Sequence, residues 1–116
     1  MRVKRLPAAA VEAIRTPDNE VWLSAVSLWE IAVKQQIGRL KIPGDAGSYI
    51  PEQRELHGIG SLPLEESAVA HLARLPALHT DPFDRMLICQ ALEHQLTLVT
   101  PDAAIRAYPI RTLWKP

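Results

Sequence analysis

The chain holds one cysteine, Cys89, which excludes an intramolecular disulfide and fits a reducing compartment. Charge of one sign is not in excess: 13 Lys and Arg balance 13 Asp and Glu. The total therefore does not indicate a strongly basic nucleic-acid binder, although local patches remain possible. No apolar run approaches the ~18–20 residues that span a bilayer. The basic start MRVKRLP is not followed by an apolar segment of about 7–15 residues, so no secretory signal is legible. His57, His71, His79 and His94 are scattered, with no zinc-ligand spacing to one another or to Cys89. Internal repeats, low-complexity tracts and a domain linker are also missing. What is present is a 47% hydrophobic composition in 116 residues, enough for the core of one domain. The expectation is a single domain over residues 1–116, cytoplasmic and not membrane-bound.

Local signals divide the chain into alternating elements. PAAAVEAIR is helical by propensity, with Pro7 at a suitable first position, and Thr16-Pro17-Asp18-Asn19 breaks it. Glu20 to Ala25 reads as a short, largely buried strand. A helix follows over Ser27 to Ile37, opened by a Ser27–Glu30 capping box and ended by Gly38. RLKIP at 39–43 is a connection. Residues 44–58 are helical at their centre, interrupted by Pro51. Ile59 to Leu64 is a weak strand. Glu65 to Leu75 is a helix stopped by Pro76. Asp81 as N-cap and Pro82 as first residue open a helix running to about His94. Leu96 to Thr100 is the clearest strand. Pro101 to Ala107 is a short helix, and Ile110 to Trp114 a last strand. Strands alternating with helices favour an α/β fold with a parallel sheet.

Three carboxylates, Glu30, Asp84 and Asp102, fall at predicted helix starts that follow a strand, turn or loop. In an α/β fold such starts gather at one sheet edge, where ligands bind. Each has a structural explanation when taken alone. Glu30 closes the capping box and stands four residues before Lys34. Asp84 and Asp102 lie in first turns and complement the helix dipole, and Asp81 is a simple cap. Together they repel unless a cation joins them, and a hard divalent cation takes oxygen ligands of this kind. Spacing leaves both readings open. Cys89 reads as a small core residue; Trp22 and Trp29, which flank the strand–helix join, read as packing residues or as part of a groove for a partner, and Trp114 as a packing residue.

The stretches SAVSLWEIAVKQQIGRLKIP, LPALHTDPFDRMLICQALEHQLTLVTPDAAI and the final IRTLW resemble the PIN domain, and most closely the VapC-type ribonuclease toxins. The resemblance runs from about Leu6 to Trp114. It implies a PIN-like three-layer α/β/α sandwich with a parallel sheet. It also implies a metal-dependent endoribonuclease using Mg²⁺ or Mn²⁺, a VapB-like antitoxin that blocks the site, an RNA substrate and a homodimer. Glu30, Asp84 and Asp102 take the positions of the second, third and fourth acids. Asp81, Thr100 and Arg85 have supporting places at most: Asp81 as a neighbour, Thr100 through its hydroxyl, Arg85 toward a phosphate or a carboxylate. Lys34, Arg39 and Lys41 are further candidates to steer phosphates, against the plainer reading of solvated surface.

The family opens with an apolar strand ending in aspartate, and here only MRVKR precedes the LPAAAVEAI stretch. The expected pattern is thus a PIN domain lacking its N-terminal strand and first acid. Three accounts fit: a start upstream of Met1, a truncation that lost activity, or a gap filled by another chain. The rival to the nuclease is a catalytically impaired remnant that serves as an antitoxin-binding or oligomerisation module. A third possibility is a metal-binding phosphodiesterase acting on DNA or nucleotides, because 2′-OH recognition leaves no short sequence mark.

Overall fold

A computed structural model describes residues 18–78 and 81–113. The expected helix at PAAAVEAIR, the N-terminal strand question, His79 and Trp114 lie outside the described residues. Among those described, Glu20–Pro63 form one compact unit, and residues from Leu64 onward, with 18–19, form another.

In the first unit the chain turns from strand to helix without a loop. β1 covers Trp22–Ser24 and α1 covers Ala25–Gln36. Ser24 is extended (φ −70°, ψ 143°), and its hydroxyl accepts the Val26 N–H at 3.0 Å, which satisfies one of the orphan donors of the first turn. The cap is therefore Ser24. The expected Ser27–Glu30 capping box does not form, because the helix is already under way at Ser27. α1 ends where Gly38 adopts φ 77°. Gly38 N–H donates to Gln35 C=O and Arg39 N–H to Lys34 C=O, the pair of bonds of a Schellman motif.

α2, Ala46–Leu56, runs through Pro51 without a break, so the expected interruption is absent. It closes in the same way as α1. Gly58 has φ 68°, Gly58 N–H donates to Glu55 C=O, and Ile59 N–H donates to Arg54 C=O. β2, Gly60–Leu62, then pairs with β1 in parallel, with Trp22 opposite Gly60 and Ser24 opposite Leu62. The absence of a side chain at Gly60 is required here. A Cβ there would lie 2.6 Å from the Trp22 ring.

In the second unit, α3 covers Glu66–Val69 and tightens into a 3₁₀ turn over Ala70–Arg74, where sequence pattern favours one continuous helix. Such tightening is common at helix ends. α4, Pro82–His94, starts as its Asp-Pro signal dictates: Asp81 Oδ1 accepts from both Phe83 N–H (2.8 Å) and Asp84 N–H (3.1 Å). It ends on Gln95, a left-handed residue (φ 54°) at a position usually held by glycine.

β3, Leu98–Val99, pairs in parallel with β4, Thr112–Leu113, across the short helix α5, Ala103–Arg106. Ile88, Cys89, Leu75, Ile105 and Tyr108 form one buried cluster, edged by Leu72, Met86, Leu92, Leu98 and Ile110. Fully burying a side chain the size of Ile88 or Ile105 contributes about 1.5–3 kcal/mol. The parallel pairing and helical crossovers are those of the α/β class. Strand pairing among the described residues is confined to these two two-stranded ladders. No described helix is long and apolar enough to cross a membrane.

Candidate functional site

The acids singled out by pattern divide between the units. Glu30 belongs to the first. It is buried in the second turn of α1, and its carboxylate accepts from Lys34 Nζ at 2.8 Å. The acid precedes the base by four residues, the favourable order on a helix. Lys34 is thereby committed to Glu30, which lessens its value as a free phosphate-steering cation. Arg39 and Lys41 stand exposed on the connection that follows.

The second unit carries Asp81, Asp84 and Asp102. Asp81 spends one carboxylate oxygen on capping α4, and Asp84 lies half-buried in the first turn of that helix. Asp102 is itself an N-cap: its Oδ1 accepts the Ala104 N–H at 2.9 Å. Thr100, 7% exposed at the end of β3, turns its hydroxyl back to accept the Asp102 N–H at 3.1 Å. The side chains of Thr100 and Asp102 thus fix the backbone that presents the Asp102 carboxylate. Arg85 follows Asp84, and its Nε is buried without a hydrogen-bond partner. Arg85 also lies near Cys89. Burial pushes the Cys89 thiol up, and the Arg85 charge only partly opposes this. Cys89 is therefore an inert core thiol and a poor nucleophile.

The donor set consists of carboxylate oxygens and one hydroxyl, the chemistry of a hard divalent cation. Among the described residues, no three His, Cys, Asp or Glu side chains form a ready-made metal-binding group. Magnesium-type ions do not require one, because they commonly take one or two carboxylates and complete their shell with water and substrate phosphate. The residues of the second unit fit such an ion in donor type.

Two pairings escaped the sequence pattern. His71 Nε2 lies 2.8 Å from Glu93 Oε1 and joins the 3₁₀ turn to α4. The hydrogen bond from His71, helped by one from Ser67, holds the Glu93 carboxyl below its ordinary range. The Tyr108 hydroxyl bonds the main chain at Pro76 and Leu78. Neither pairing has a local signature, since the partners lie 22 or more residues apart.

Residues 2–110 match the family model of the PIN domain. The chain is 35% identical over 74 residues to Ribonuclease VapC16 of Mycobacterium tuberculosis, covering 60% of this chain and 52% of that protein. It is 31% identical over 107 residues to Ribonuclease VapC22 of the same organism, covering 90% and 79%. The match to the first thus spans about half of that relative's length.

Proposed function

The chain belongs to the PIN-domain family and is VapC-like within it, and from that premise we propose that it is a metal-dependent endoribonuclease toxin. The reading includes hydrolysis of RNA phosphodiester bonds, neutralisation by a VapB-like antitoxin, action in the cytoplasm as a homodimer, and a single PIN-like domain built from both units. The observation that carries it is the pair of helix starts in the second unit, at Asp84 and Asp102, within a chain matched to the PIN domain. The names of the two relatives, both ribonucleases, support RNA as the substrate.

Asp84 and Asp102 would hold Mg²⁺ or Mn²⁺, and Glu30 is the further acid that the family resemblance names. When bound, such an ion supplies positive charge at the scissile phosphate and lowers the pKa of a water for in-line attack. The protein's own part is positioning. Thr100 holds the Asp102 backbone, and Asp81 fixes the turn that carries Asp84. Arg85, Arg39 and Lys41 are candidate cations to meet phosphate oxygens.

The test is RNA cleavage by the purified chain, with and without Mn²⁺ or Mg²⁺. Partners that merely support a metal ligand already cost 10–100-fold when removed. Asp84→Asn should therefore reduce cleavage by at least about a hundredfold. Undiminished cleavage by this variant rejects the mechanism. A wild-type chain that captures an antitoxin yet cuts no RNA at any metal concentration is the impaired remnant instead.

A further inference from the structure

Trp22, the first residue of β1, is left 44% exposed. Its indole nevertheless rests on the ladder. A Cβ built on Gly60, the residue opposite it in β2, would meet Cε3, Cζ3 and Cδ2 of the ring at 2.6, 2.7 and 3.3 Å. A point that close to all three atoms lies above the ring plane, because at the rim the third atom would be much farther off. The six-membered ring therefore lays one face on the Gly60 backbone and leans from β1 across β2. The exposed area lies away from that backing.

A cation is fixed on the side toward which the indole leans. The peptide between Ile59 and Gly60 turns its N–H to Val21 C=O at 2.9 Å. Being trans, it turns its C=O the other way, where Arg54 Nη1 donates to it at 2.9 Å. Arg54 Nη2 lies 3.7 Å from exposed Glu55, a weak surface pair. Arg54 is thus anchored one peptide from the glycine beneath the ring.

A flat aromatic backed from behind, with a guanidinium beside it, matches an unpaired nucleotide. The base offers a π-face to the ring, and its phosphate meets the cation. An apolar protein patch would use the area of the ring but leave the guanidinium without an anion. We infer that Trp22 is a stacking platform for an unpaired RNA base, with Arg54 the contact to its phosphate, so that the chain prefers single-stranded RNA to duplex. This rests on the proposed RNA substrate and needs no metal ion.

The experiment measures binding of the full chain to a dye-labelled, unstructured oligoribonucleotide by fluorescence anisotropy, in EDTA so that no divalent ion supports cleavage. Trp22→Leu keeps an apolar cover on Gly60 and removes the aromatic plane, so Kd should rise about tenfold. Trp22→Phe keeps a ring and should lose less. Stacking releases no counterions, so the salt dependence of both should match the wild type. Arg54→Gln should instead lower the slope of log Kd against log salt by about 0.7, one single-strand phosphate contact. The quench of tryptophan fluorescence by RNA should survive Trp29→Phe and be lost in Trp22→Phe. A wild type that binds this RNA while Trp22→Leu binds it equally well overturns the platform, leaves the RNA substrate standing and returns Trp22 to packing or to a protein partner. Equal affinity of the wild type for a duplex of the same sequence also overturns it. A wild type whose tryptophan fluorescence RNA leaves unchanged does so too, whether or not the variants fold. A wild type that binds no RNA overturns the substrate reading and the platform together.

Discussion

In the second unit, five buried side chains from three stretches of chain meet in one cluster around Ile88. In the first, the buried apolar residues are Val26, Ile31 and Ala46, while Trp22, Trp29, Ile37 and Leu56 stand exposed. Both units close their helices at the turns, the second through the Asp81 and Asp102 caps and left-handed Gln95, but the first has the smaller buried apolar set to add to that closure. Both long helices of the first end in glycine-centred Schellman motifs, and its strand runs directly into a serine-capped helix. The difference separates two routes to the same layout of parallel strands joined by helices. One route adds a larger buried cluster to closure at the turns, and the other adds a smaller one.

The largest test of that contrast uses one residue type in both units. Ile88→Ala and Ile31→Ala remove equally buried isoleucines, 0% and 1% exposed. Such truncations cost about 2–5 kcal/mol, more where the surroundings cannot collapse. Ile88→Ala should fall toward the upper end and Ile31→Ala toward the lower, as read by urea unfolding. Equal costs, or the reverse order, would erase the distinction.

A smaller effect is expected at the β1–β2 ladder. Gly60→Ala forces a methyl into the Trp22 ring and should cost about 1–3 kcal/mol, the usual range for overpacking. Because the clash is with one side chain, Trp22→Ala in the same chain should recover most of the loss. A double mutant no better than Gly60→Ala would place the strain in the backbone.

The smallest effect concerns acid. Hydrogen bonds from His71 and Ser67 lower the Glu93 carboxyl below its unfolded value. A lowered carboxyl stabilises the fold above the unfolded pKa, and that stability is lost as pH falls through the folded pKa. Glu93→Gln should therefore flatten the acid limb of a stability–pH curve while leaving the neutral region nearly level. An acid limb as steep as in the wild type would show that the pair carries no pH dependence.

Where the chain states its intentions locally, sequence and fold agree. Asp81-Pro82 opens α4 as a cap and first residue should, and Gly38 ends α1. The disagreements come from non-local pairing. SAVSLWE offers two serines as caps, and the S-x-x-E pattern points to Ser27. Ser24 wins because its partner across the ladder, Leu62, holds it extended at the point where the helix must begin. The change from α to 3₁₀ at Ala70 was illegible because five residues cannot separate a period of 3.0 from one of 3.6. Asp84 and Asp102 were readable as helix-start acids. The hydroxyl of Tyr108 was not, since nothing near residue 108 names residues 76 and 78 as its partners.

Gln35 carries a consequence of its own. Its amide nitrogen donates to Gly44 C=O at 2.6 Å, and its amide oxygen accepts the Ala46 N–H at 2.9 Å. Asp45, although placed as the N-cap of α2, makes no such bond, so Gln35 does the capping from the neighbouring helix. A carboxylate at position 35 could serve only the amide hydrogen, and an ammonium only the carbonyl. Selection at this site should therefore tolerate few replacements, for a reason that is the geometry of one helix start.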